Sequence, residues 1–228
     1  MGPDAVTSVH IITEDKTGGG LEAIIKQEVA HQRGLKTLEP LEFSKLRGTV
    51  NGNAELLKQC AKYELFRFRY TPRFDHVFYV IDARNAWDLE QLGVEAPQPP
   101  YKTSLPPFCD TIRKKLESLA KVGQTDEQWQ RIRNGFHAHV LVWERESLIL
   151  PVADQLDLGQ SIADVYAERK ASDIVKHRFE QTGKQRAYSK ATDGKQFLDR
   201  IAWNEGLRTT VVSSNPSLQA IVDELVAL

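Results

Sequence analysis

HVFYVIDARN, residues 76–85, decides the fold. Val77 to Ile81 is an unbroken apolar run bounded by polar residues, which predicts a strand buried on both faces of a parallel sheet. It reads as the central strand. Upstream, Val9 to Thr13 (VHIIT) is a second short, β-branched run, followed by the polar, glycine-rich EDKTGGG. The stretch LEAIIKQEVAHQRG then sets Leu21, Ile24, Ile25 and Val29 on one helical face, and Gly34 is placed to end that helix. Leu35 to Phe43 offers a weaker strand. Asn53 is the expected N-cap of a helix running through AELLKQCAKYELFRFRY, with Leu56, Leu57, Cys60, Tyr63 and Leu65 as its apolar stripe and Pro72 as its stop.

Downstream, EAPQPPYKTSLPPF is dense in proline and is expected to cross the surface without regular helix. A polar helix over 110–122 and a short one over 126–134 follow, so that approximately 90–135 reads as a helical insertion. HAHVLVW is a further buried strand, and ESLILPVADQL a short helical segment begun or interrupted at Pro151. From Ala163 the chain is polar and helix-prone, with a turn expected at Asp193-Gly194 and a last amphipathic helix, LQAIVDELVAL, after Asn215-Pro216. Residues 163–228 thus form a helical C-terminal part. Strands alternating with helices predict an α/β class, with a mostly parallel central sheet flanked by helices in one domain spanning 1–228.

Composition narrows the function classes without choosing one. With 41% hydrophobic and 27% charged residues the chain is neither disordered nor fibrous, and a net charge of -1 announces no global nucleic-acid field, although a local patch can sit inside a balanced total. Cys60 and Cys109 stand alone, without zinc-ligand spacing, which points to free thiols. MGPDAVTSVHIITED lacks the basic and apolar regions of a secretory signal, and no apolar run approaches the roughly 20 residues of a membrane span; a cytoplasmic location and no membrane partner are expected.

Ligands of open α/β sheets gather beyond the carboxyl ends of the strands. The acids there are Glu14, Asp82, Glu144 and Glu146, a set suited to magnesium or manganese and equally explained as residues favoured at helix N-termini. Thr17 to Gly20 could cradle an anion or serve as a flexible turn, and it lacks the Gly-Lys-Ser/Thr order of a P-loop. His137 and His139 alternate along a strand and share one face, with no carboxylate partner evident nearby. Two stretches mix basic and aromatic residues, RFRYTPRF with Arg67, Arg69, Tyr70 and Arg73, and Lys184 to Trp203 with Lys184, Arg186, Tyr188, Lys190, Lys195 and Arg200. They are candidate nucleic-acid contacts or solvated helix faces.

Glu14 after the first strand, Asp82 after VFYVID and WERESLILPVAD after the next strand together resemble the TOPRIM fold. The resemblance is narrower to the small TOPRIM-like proteins, related to the TOPRIM domains of OLD-type nucleases, that are encoded beside ATPases in bacterial defence loci. Glu146, Ala153-Asp154 and the YSKATDG segment with Tyr188, Lys190, Asp193 and Gly194 echo that group, in order and over nearly the whole chain. The resemblance implies a metal-dependent nuclease or nuclease-derived effector in anti-phage defence, with a partner ATPase and DNA or RNA as substrate. It implies Glu14, Asp82, Glu146 and Lys190 as catalytic residues, and Glu14, Asp82, Glu146 and Asp88 as ligands of magnesium or manganese converging on one hydrated cation. Arg67, Arg69, Arg84, Lys184, Arg186, Tyr188 and Lys190 would contact nucleic acid. The family's second central carboxylate is replaced here by Arg84 in Asp82-Ala83-Arg84, and the usual glycine after the first acid by Asp15. A cation beside a dication site repels it, so the alternative is a non-catalytic nucleic-acid- or protein-binding subunit with a degenerate metal site.

Overall fold

A computed structural model describes residues 7–13, 20–34, 41–43, 53–69, 73–86, 92–167, 169–183 and 186–228. In chain order its regular elements are β1 (Thr7–Thr13), α1 (Gly20–Gln32), β2 (Leu41–Phe43), α2 (Asn53–Cys60), β3 (His76–Asp82), α3 (Ala83–Ala86), α4 (Tyr101–Ala120), α5 (Asp126–Ile132), β4 (Phe136–Leu141), α6 (Ala171–Gln181), α7 (Lys195–Trp203), α8 (Glu205–Ser214) and α9 (Pro216–Ala227). The described strands form a sheet in the order β2-β1-β3-β4, with every pairing parallel. None of the described helices is long and apolar enough to cross a membrane.

β3 is central because both of its faces are covered. Alternate side chains of a strand point to opposite faces, and here Phe78 and Val80 enter one core with residues of α1, α6, α7, α8 and α9, while Val77, Tyr79 and Ile81 enter a second with residues of α2, α4 and α5. A strand without a solvated face has no use for alternating polar residues, hence the continuous apolar run. Thr13 pairs with Val80, and Asp82 with Leu141, so β1, β3 and β4 deliver their carboxyl ends to one edge.

Several local expectations need correction. The proline-dense segment is helical: α4 starts at Tyr101 and carries Pro106 and Pro107 within it. Both prolines are exposed, and the buried stripe Leu105, Phe108, Cys109, Ile112, Leu116 and Ala120 supplies the apolar contact that outweighs the missing backbone donors. The long helix expected from Asn53 breaks after Cys60 and ends in a π-turn, Leu65–Arg69. Asp193-Gly194 is no reversing turn; it closes a second π-turn, Lys190–Gly194, that runs straight into α7. Gly20 opens α1 where that helix presses on α7: an added Cβ would lie 2.0 Å from the Leu198 Cβ.

Other signals are read as they stand. Thr125 and Gln128 make the reciprocal capping box of α5, and Asn215 caps α9 by accepting from the Leu218 N–H at 3.1 Å, with Pro216 in the first turn. After β4 the chain winds through two 3₁₀ segments, Arg145–Leu148 and Leu150–Leu156, with Pro151 near the start of the second.

Candidate functional site

Asp82 ends β3 in a buried position, and α3 follows without a break. The Arg84 N–H donates to the Trp143 carbonyl at 2.8 Å, which ties α3 to the chain leaving β4. Trp143 is fully buried with φ of 62°, a left-handed conformation that costs a bulky residue energy and turns the chain sharply. The Ser147 hydroxyl lies within hydrogen-bonding reach of the Val142 and Glu144 carbonyls and holds that turn. Glu144 and Glu146 are thereby set below the surface, beyond the strand ends.

Glu144 is fully engaged. Its Oε1 accepts from Arg84 Nη1 at 2.6 Å and from the Ser172 N–H in the first turn of α6 at 2.8 Å, and its Oε2 accepts from Lys190 Nζ at 2.9 Å. Lys190 Nζ also lies 3.6 Å from Glu146 Oε2, while Arg145 Nε approaches Glu146 Oε1 at 3.3 Å. Lys190 is positioned by its backbone: its carbonyl accepts from Arg145 Nη2, and the segment before the π-turn is fastened by Arg186, which grips buried Asp193 through both guanidinium nitrogens at 2.7 and 2.5 Å. Asp193 also accepts from the Ser189 N–H at 2.9 Å.

The two glutamates are driven in opposite directions. Burial opposes ionisation of Glu144, but the Ser172 N–H, the Lys190 ammonium and Arg84 outweigh it and hold this carboxyl below its ordinary range. At Glu146 burial prevails over Arg145 and Lys190, and the neighbouring Glu144 charge adds to it, so the carboxyl is raised. Burial works against the Lys190 charge, yet Glu146 and Glu144 raise its ionisation overall. Tyr188 completes the cluster. Its ring packs edge-on to Phe179, and its hydroxyl is buried without a hydrogen-bond partner among the described residues. A Cβ added at Gly194 would fall 2.7 Å from that hydroxyl and 3.4 Å from Glu146 Oε1, so the glycine is what lets the tyrosine in.

Arg84, Glu144, Glu146 and Lys190 are therefore brought together, with Tyr188 and Arg186 alongside. Glu14, Asp15, Asp88, Tyr70, Lys184 and the loop over 17–19 lie outside the described residues. Arg67 and Arg69 belong elsewhere: Arg67 Nη1 donates to the Phe74 and Asp75 carbonyls just before β3, and Arg69 pairs with Glu64 at 3.4 Å. Arg67 thus braces the amino edge of the sheet, opposite the carboxylates. Among the described residues no three His, Cys, Asp or Glu side chains are grouped to hold a metal ion. The described donor set does not fit a divalent cation as it stands, because the Glu144 oxygens are occupied by Arg84, Ser172 and Lys190. Sequence reading noted Glu144 only as one of four acids, and it overlooked Ser172 and Arg145.

His137 and His139 do share a face of β4, and their carboxylate partner lies on the last helix. His137 Nδ1 is 2.6 Å from Glu224 Oε1, His139 Nε2 is 2.8 Å from Glu224 Oε2, and His76 Nδ1 meets His137 Nε2 at 2.8 Å. These imidazoles hold the Glu224 carboxyl far below its usual range. The cluster pins α9 to the sheet near its amino edge, away from Glu144. The chain matches no protein-family model, no curated protein and no solved structure.

Proposed function

We propose that this chain engages nucleic-acid phosphodiesters at the carboxyl edge of β3 and β4, as a TOPRIM-like nuclease or nuclease-derived effector working with a partner ATPase in anti-phage defence. The observation that carries the reading is the pairing of an ionised glutamate, Glu144, with a proton-retaining one, Glu146, around the half-exposed ammonium of Lys190. Phosphodiester hydrolysis needs a proton taken from the attacking water and one given to the leaving oxygen, and a buried carboxyl with a raised ionisation range suits such exchange near neutral pH. Lys190 and Arg84 are cations that can trade a carboxylate for phosphoryl oxygens. Asp82 stands beside them at the end of β3. Magnesium or manganese remains the cofactor this reading expects, with Glu14, Asp82, Glu146 and Asp88 as the ligands.

The ion pair of Arg84 with Glu144 favours a second reading, non-catalytic binding of nucleic acid, because it places a guanidinium where the family resemblance expects a second carboxylate. One experiment separates the two: incubation of mixed DNA and RNA with manganese, using wild type, Asp82→Ala and Glu146→Gln. Cleavage by wild type that disappears in both variants is the expected result. Salt-sensitive binding without cleavage selects the second reading, and neither cleavage nor binding by wild type rejects both.

A further inference from the structure

The mismatch between the described carboxylates and a divalent cation has a specific cause. Glu144 and Glu146 face each other across one ammonium: Lys190 Nζ is 2.9 Å from Glu144 Oε2 and 3.6 Å from Glu146 Oε2. We infer that Lys190 is a built-in counter-ion, an autoinhibitory contact whose ammonium occupies the position between Glu144 and Glu146 and must leave before a divalent cation can join them. The two glutamates are nearly inaccessible, at 2% and 1% exposure, so two carboxyl groups held this close in the interior require a compensating positive charge. Hard divalent cations seek the same carboxylate oxygens, and like charges exclude one another at this separation.

The contact is also built to open. The Lys190 side chain is 49% exposed, whereas its backbone is fastened by Arg145 and by the Arg186–Asp193 pair, so release needs only rotation of the side chain into solvent. Arg84 stays on Glu144 Oε1 throughout, which leaves Glu144 Oε2 and Glu146 Oε2 as the oxygens set free. A phosphodiester arriving at the site offers Lys190 an alternative anion. Nucleic acid and divalent cation should consequently bind with positive coupling, each strengthening the other by the same factor. That last step rests on the proposed function, while competition between Lys190 and the cation does not.

The test is manganese binding, read by the electron paramagnetic resonance signal of free Mn2+, on the full chain as wild type, Lys190→Met, Lys190→Arg and Lys190→Met/Glu146→Gln. Lys190→Met should bind manganese at least tenfold more tightly than wild type, Lys190→Arg should resemble wild type, and the double variant should lose the gain. Equal or weaker binding by Lys190→Met overturns the inference. Should Lys190→Met fail to fold, the lysine Nζ resonance of wild type decides: saturation with Mg2+ should move the Lys190 signal to the position of a solvated lysine, and an unmoved signal at saturation overturns the inference. Tight metal binding by Lys190→Met without nucleic-acid cleavage or binding by any form would remove the proposed function and leave the counter-ion role standing.

Discussion

Glu144→Gln and Glu146→Gln are nearly identical changes two residues apart, and the structure predicts opposite consequences. In Glu144→Gln the amide oxygen can still accept from the Ser172 N–H, but the amide nitrogen must then face Lys190 or Arg84, donor against donor. Hydrogen bonds to charged groups are each worth about 1.5–3 kcal/mol. Because the Arg84 and Lys190 side chains are 25% and 49% exposed and can rehydrate, the loss belongs near the low end, about 2 kcal/mol in all. For a chain of this size each kcal/mol moves Tm by roughly 2–4 °C, so Glu144→Gln should melt about 4–8 °C below wild type at pH 7. Glu146→Gln removes a charge that burial already disfavours and gives up only longer contacts, at 3.3 and 3.6 Å, so its melting point should equal or exceed that of wild type. The pH dependence carries the same signature. Glu144 has a depressed folded pKa, so its contribution is present above the ordinary carboxylate range and is lost as pH falls through the folded value. Glu146 has a raised one, so wild type loses stability as pH rises from the ordinary carboxylate range through the folded value, and Glu146→Gln gains on wild type over that window. Calorimetric melts from pH 4 to 8 provide the assay. Equal destabilisation by both variants at pH 7, or a Glu144→Gln melting point matching wild type, would refute the reasoning.

Three further outcomes are expected. Glu224→Gln should loosen α9 from β4 at a cost of about 1 kcal/mol, kept small by solvent around the carboxylate. Faster hydrogen exchange of α9 amides at neutral pH should report it, and the difference from wild type should vanish in acid, because a depressed carboxyl loses its contribution as pH falls. Gly20→Ala places a methyl group 2.0 Å from the Leu198 Cβ and must push α1 off α7; denaturant unfolding should show a loss of about 1–3 kcal/mol or more. Any nucleic-acid affinity should fall steeply with added salt and drop in Lys190→Ala and Arg186→Ala, with Arg186→Ala also lowering Tm because it abandons buried Asp193. Fluorescence anisotropy across a salt series reads the first effect, and affinity indifferent to both salt and substitution would point to protein contacts instead.

What the sequence determined by itself is the local and periodic part of this protein. The run from Val77 to Ile81 announces a strand covered on both faces, Asn215-Pro216 announces the start of α9, and the acids after the strands fall at one edge because parallel strands must end together. These signals are carried by neighbouring residues and by the two-residue and 3.6-residue repeats of the backbone. Tertiary structure decided the rest. Pro106 and Pro107 sit inside α4 because that helix buries an apolar stripe, a gain that no proline rule contains. Arg84 finds Glu144 across 60 residues, Lys190 finds it across 46, and His137 finds Glu224 across 87. Carboxylates look alike in a sequence; whether one is ionised, proton-retaining or paired depends on desolvation and on the charges brought within a few ångströms of it, and both are set only when the distant segments pack.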